Sequence, residues 1–217
     1  MSQRPRIIVA DPPWDFTTYS DKAQKSAKKH YPTMSLTEIA ALPLVAVIPD
    51  DALLLLWATW PNLDEAMQVG RAWGFTYKTL GFCWVKIGAK SGTPTMGLGY
   101  YTRANSEPCL LFTRGNVNRS WIRDYGVSQI ILDDQRQLPL NGFFEDTVLE
   151  PALAHSTKPD AFYHRIERLV AGPYLELFGR RRRKNWVVLG NAIDNQDIRA
   201  ALLNYGLQLN QHEETLP

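Results

Sequence analysis

The sequence predicts an α/β fold, a mostly parallel sheet with helices on both faces, and three observations carry that prediction. Short apolar runs unbroken by charge recur along the chain, as strands buried on both faces of a parallel sheet require. Between them lie stretches with apolar residues at helical spacing, bounded by proline and glycine. Residues 52–86 read as strand, helix, strand, the unit whose right-handed crossover builds parallel sheets.

The first run, Ile7-Ile8-Val9-Ala10, climbs to Asp11-Pro12-Pro13-Trp14. Pro12 has no N–H for a ladder, so the strand stops there. A residue before proline is pushed to extended geometry, which presents Asp11 stiffly at the strand's carboxyl end. That end is where open α/β sheets take their ligands. Residues 15–34 are polar and basic, with Lys22, Lys25, Lys28, Lys29 and His30 and no periodic apolar face. They read as a loop: either a solvated charge run or a gate whose Lys28 and Lys29 meet phosphates. Ser35-Leu36-Thr37-Glu38 is a capping box for a short helix that Pro43 ends or kinks.

A second strand covers residues 52–57. A helix starts at Pro61 or Asn62, carries Leu63, Met67, Gly70 and Trp73 on one face, and ends at Gly74. The third strand covers 76–86. Trp57 and Trp60 read as core and rim packing. Residues 87–106 join Gly88, Gly92, Gly97 and Gly99 to Lys86, Lys90, Arg103, Tyr100 and Tyr101. That mixture suits a loop that approaches phosphates and stacks on bases, with a plain flexible connection as the alternative. Asn105 and Glu107 are expected just before a strand over 109–113. In residues 114–150, Arg114, Arg119 and Arg123 with Trp121 form a basic-aromatic set, 130–132 read as a strand, and 133–141 as an insertion.

A helix over 159–170 follows, with Pro159 in its first turn, Phe162, Ile166 and Leu169 as its stripe, and Gly172 beyond its end. Lys158 stands at its N-terminus, where the dipole disfavours a cation unless an anion is held there; a surface lysine is the plainer reading. The strand over 174–178 carries Glu176, a carboxylate in an apolar run that needs a partner, and closes on Phe178-Gly179. Arg180 to Lys184 are five consecutive cations, a nucleic-acid patch or a solvated face. A last strand over 186–189 ends at Gly190-Asn191. A helix over 194–206 and a frayed tail complete the chain.

At 217 residues and 45% hydrophobic content the chain buries a substantial core. The expected organisation is one domain over 1–193, with 194–217 as C-terminal helix and tail. Net charge is +2, so no global field marks a polyanion binder, and any such site comes from local clusters. Cys83 and Cys109 lie in apolar runs and read as buried free thiols. No zinc-ligand spacing occurs, so no metal is expected. No secretory leader is visible, and residues 52–58 are too short to span a bilayer. A soluble cytoplasmic protein is expected.

An acid, two prolines and an indole at a strand end suit one chemistry. The exocyclic amine of adenine is a poor nucleophile, because its lone pair is delocalised into the ring. Two acceptors, the Asp11 carboxylate and the Pro12 carbonyl, hold its N–H bonds and favour a pyramidal nitrogen. Trp14 stacks on the base. A methyl group on a sulfonium is already on a good leaving group, so positioning and electrostatics outweigh a strong base. The alternative is a strand-ending turn whose Asp caps a helix and whose Trp packs in the core.

Asp11-Pro12-Pro13-Trp14 resembles the catalytic tetrapeptide of the MT-A70 family, S-adenosylmethionine-dependent adenine-N6 methyltransferases. Tyr31-Pro32-Thr33-Met34, Asn105-Ser106-Glu107-Pro108-Cys109, His155-Ser156-Thr157-Lys158-Pro159-Asp160 and Glu176-Leu177-Phe178-Gly179-Arg180 resemble further family blocks in the same order, closed by Asn185-Trp186 and Gly190-Asn191. The resemblance implies a Rossmann-like methyltransferase with circularly permuted motifs, the catalytic one preceding the cofactor one. It implies cofactor contacts from Asp11, Glu176, Phe178, Gly179, Arg180 and Asn191, with Lys158 on the methionyl carboxylate and Arg180 at the ribose. It matches Glu107 to a family acid beside the substrate pocket, with a structural role as the alternative, and Asn105 is read with it as substrate-binding. Arg103, Arg182 and Arg183, with Lys28 and Lys29, are read as phosphate contacts.

The chain departs from mRNA-modifying members in two ways. Only six residues precede Ile7, and Ala192 stands where those members carry an amide. The expected substrate is nucleic acid, DNA ahead of RNA, with a homodimer or a partner subunit. Methylation of cytosine or a protein amide, and an inactive binding subunit, are the alternatives. Trp14 argues against the former; intact Asp11, Lys158 and Asn191 argue against the latter.

Overall fold

The structure is a computed structural model and describes residues 3–15, 33–88, 90–97, 99–134 and 158–214. The strands are β1 (Ile7–Ala10), β2 (Ala52–Trp57), β3 (Thr76–Ile87), β4 (Ser106–Arg114), β5 (Ile130–Asp134), β6 (Tyr174–Leu177) and β7 (Trp186–Leu189). The helices are α1 (Leu36–Ala40), α2 (Leu63–Ala72), α3 (Asp160–Leu169), α4 (Asn191–Asp194) and α5 (Ile198–Glu214). The strands form a mostly parallel mixed sheet in the order β5-β3-β4-β2-β1-β6-β7, the α/β class expected from the buried apolar runs. Two compact units share it: Met1–Thr79 with Leu110–Val117 and Gly172–Pro217, and Leu80–Cys109 with Asn118–Ala171.

In the first unit β1 runs parallel to β2 on one side and β6 on the other, and β6 runs parallel to β7. Every residue of β1, β2 and β6 is buried, which is why these runs carry no alternation. The capping box of α1 forms as read: Ser35 and Glu38 satisfy each other's backbone N–H. Trp73, capping the end of α2, donates its indole N–H to the Ile39 carbonyl at 3.1 Å. Gly70 packs α2 so closely on Phe112 of β4 that a Cβ would collide with the ring.

In the second unit β3 runs parallel to β5. Phe162 of α3 meets Phe82 of β3 edge-on, with ring centroids 5.4 Å apart. Arg165, buried to 4% exposure, donates to the Ser128 and Ile130 carbonyls. Cys83 and Cys109 are buried free thiols.

Several expectations need correction. The strands flanking α2 stand one strand apart, with β4 between β3 and β2, a spacing that the strand–helix–strand reading left open. β4 starts at Ser106, not 109, so Glu107 lies within the strand. Pairing within the sheet carries the strand through Pro108 despite the proline's missing N–H. Asp133 and Asp134 belong to β5 rather than to an insertion. Pro159 is the N-cap of α3, one residue before its first turn. The C-terminal helix begins at Ile198 and continues to Glu214. Its end is not frayed: Leu209 is fully buried, and Arg4 holds Glu213 at 2.8 Å and Asn210 at 2.7 Å. The expected gate residues Lys28 and Lys29, together with Tyr31-Pro32 and His155 to Thr157, lie outside the described residues.

Candidate active site

The register of the first unit gathers the key strand ends. Ala10 is level with Leu177, and Leu177 with Leu189, in three parallel strands. Asp11, Phe178 and Gly190 each follow directly, so the acid and both glycine turns leave one carboxyl edge of the sheet. The Asp11 N–H reaches the Leu177 carbonyl at 3.5 Å, and Gly179 N–H donates to the Leu189 carbonyl at 3.1 Å. Gly190 lies against the backbone of Gly179 and Phe178, where a Cβ would stand 2.9 Å from Gly179 N. Phe178 itself adopts φ 63°, a left-handed conformation that bulky residues rarely take.

The tetrapeptide is held as a compact turn. Trp14 N–H donates to the Pro12 carbonyl at 2.8 Å, and Met34 N–H to the Pro13 carbonyl at 3.0 Å. The Trp14 indole N–H donates to the Trp57 carbonyl at 3.0 Å, and the side chain is 6% exposed. Trp14 thus packs in the core, as the strand-ending-turn reading expected of the indole, and ties the end of β1 to that of β2. Pro12 O keeps a second lone pair beyond the one given to Trp14. Asp11 is half-buried, Glu176 is 7% exposed, and Asn191 is exposed at the start of α4. Arg180, Arg182 and Lys184 are exposed, while Arg181 and Arg183 are half-buried. Arg182 and Gly190 line a cavity of about 670 Å³ bounded by β7 and α5.

The second unit holds a separate charged cluster. Lys86 Nζ lies 2.7 Å from Glu107 Oε1, and Lys158 Nζ lies 3.3 Å from Glu107 Oε2. Both ammonium groups sit over the Trp84 ring, at 4.1 and 5.6 Å from its centroid. Asp133 Oδ2 accepts the Trp84 indole N–H at 3.2 Å. Burial pushes the Glu107 carboxyl up, but Lys158 and Lys86 outweigh it and hold the group below its ordinary value. Lys158 is 6% exposed, which rules out the surface-lysine reading. Arg103 and Asn105 are exposed before β4, in a loop tied by the Ile87–Pro94 and Gly97–Ala104 bridges.

Sequence reasoning placed Lys86 in the basic loop and missed Trp84 and Asp133 altogether. One signal was present: Trp84 and Lys86, two apart on a strand, share a face. Among the described residues no group of three His, Cys, Asp or Glu could hold a metal ion, and no helix is long and apolar enough to cross a membrane.

The MT-A70 family profile matches residues 5–192. A Mycoplasma protein named type II methyltransferase M.MunI is 31% identical over 128 residues, 52% of this chain and 52% of its own length. A Drosophila melanogaster protein named N(6)-adenosine-methyltransferase MT-A70-like protein is 31% identical over 199 residues, 87% of this chain and 27% of its own length. The chain therefore spans about half of the first relative and about a quarter of the second.

Proposed function

The chain belongs to the MT-A70 family, and on that premise we propose that it transfers a methyl group from S-adenosylmethionine to the N6 amine of adenine in nucleic acid. The observation that supports this most is the shared carboxyl edge of β1, β6 and β7, where Asp11, Phe178-Gly179 and Gly190-Asn191 emerge in register. DNA is placed ahead of RNA, because the motif set reads as a prokaryotic form.

Each assigned residue is matched to part of the cofactor by its chemistry. Lys158 suits the methionyl carboxylate, and Asn191 and Arg180 suit the ribose hydroxyls. Buried Glu176, which packs beside Gly179, is assigned to the cofactor together with Phe178 and Gly179. The bound cofactor supplies an electrophilic methyl on a sulfonium. Asp11 and Pro12 O accept the two amine N–H bonds, which localises the nitrogen lone pair. Trp14, immobilised through Trp57, lends the base a flat wall with little entropy left to lose. With the cofactor held there, the amine nitrogen would take the methyl as the cofactor leaves as a thioether, and Asp11 would stabilise the positive charge growing on that nitrogen and accept the proton it must lose. Arg103, Arg182, Arg183, Lys28 and Lys29 are assigned to phosphates, with Asn105 and Glu107 near the substrate, and a homodimer or partner subunit is expected.

Incubation with labelled S-adenosylmethionine and parallel DNA, RNA and protein pools tests this. Label recovered as N6-methyladenine, most of it in DNA, is the expected result. Label on cytosine or protein, or on nothing, overturns it.

A further inference from the structure

Among the tryptophans of the first unit, one shows its ring to solvent. Trp14, Trp57, Trp73 and Trp186 are at most 8% exposed, whereas Trp60 is 46% exposed. Its place is the carboxyl edge from which Asp11 emerges. β1 and β2 are level at Ala10 and Leu56, and Trp60 stands three residues beyond Trp57, the end of β2. Three residues of chain reach about 11 Å at most, so the Trp60 backbone stays within that span of Trp57, whose carbonyl accepts the Trp14 indole N–H.

The mount is rigid. Trp60–Asn62 form a 3-10 turn that begins with Trp60-Pro61. The Asn62 N–H donates to the Thr59 carbonyl at 3.0 Å, and Thr59 Oγ1 donates to Asn62 Oδ1 at 2.6 Å. Asn62 is 4% exposed, so water does not compete for this bracing. An indole on a fixed backbone loses little entropy when a planar ring settles on it. The neighbouring charges favour a base over a phosphate, because Asp64 and Glu65 stand in the first turn of α2 and repel an anion placed beside them.

We propose that Trp60 is a substrate-binding residue that stacks on a nucleobase at this edge, beside the small part of its ring that Trp14 leaves exposed. That role rests on the nucleic-acid reading above, and it adds a contact made to a base and to no phosphate.

Fluorescence anisotropy of the full chain tests it with two labelled single strands of equal length. One is oligodeoxyadenylate; the other is the same deoxyribose-phosphate backbone without bases. Trp60→Ala should weaken oligodeoxyadenylate about tenfold, near the lower end of what one base–aromatic stack is worth, and move the abasic strand by less than about twofold. The slope of log affinity against log salt should not change. Trp60→Phe should restore most of the loss. Equal losses on both strands, no loss on either, or a flattened salt slope overturn the inference. Labelled methyl transfer to a DNA pool by the parent protein separates the two levels. If the parent labels adenine while Trp60→Ala binds both strands as the parent does, only the role of Trp60 fails. If the parent labels no adenine, the reading of the substrate fails, and this role with it.

Discussion

The backbone at Asp11 is held by local constraints. Pro12 fixes the geometry that follows it, β6 receives its N–H, and the turn to Trp14 is closed by hydrogen bonds at Pro12 and Pro13. Asp11→Ala should therefore leave the circular dichroism spectrum unchanged while lowering methyl transfer by about a hundredfold or more, the usual cost of losing a preorganised charge at a reacting centre. Undiminished turnover would remove Asp11 from the chemistry. Glu107 makes a pH prediction. Its carboxyl binds a proton less readily when folded, because Lys158 and Lys86 outweigh burial. A depressed carboxyl contributes stability above the unfolded value, near about pH 4.3, and that contribution is lost as pH falls through the folded value. In acid denaturation, Glu107→Gln should be less stable than the parent at neutral pH, and the gap should close below about pH 4. A constant gap across that range would show that the two lysines do not act through charge.

Among the elements, α2 shows two opposed effects at one position. Alanine is worth up to about 1 kcal/mol over glycine within a helix. A methyl at Gly70 would collide with the buried Phe112 ring, and forcing extra volume into a packed core costs about 1–3 kcal/mol. Gly70→Ala should thus be destabilising in chemical denaturation, against its helix propensity; a gain in stability would mean that Phe112 yields easily. The same competition explains the misread boundaries. The strand expected over 109–113 begins at Ser106 and runs through Pro108. A chain terminus was expected to fray, yet buried Leu209 and the Arg4 contacts carry α5 to Glu214. Where caps and proline act alone, as at Ser35 and Pro12, the local reading held.

For the molecule as a whole, a net charge of +2 leaves polyanion binding to local clusters. Within the basic run, Arg182 and Lys184 are exposed whereas Arg181 and Arg183 are half-buried, so the first two can be reversed with least disturbance. Arg182→Glu with Lys184→Glu should weaken nucleic-acid binding and reduce the slope of log affinity against log salt by about 0.9 for each lost phosphate contact on duplex DNA. An unchanged slope would make the run a solvated face. The sequence by itself determined the buried parallel strands, the stop at Asp11-Pro12, the capping box and the family motifs, because each is written in consecutive residues through proline, caps or unbroken apolar runs. Only the tertiary structure decided that β4 separates β3 from β2, and that Lys86, Glu107 and Lys158 share one ion-pair cluster on Trp84. Strand order and charge pairing are fixed by packing between segments distant in the chain, and no local rule of backbone geometry records which segments will meet.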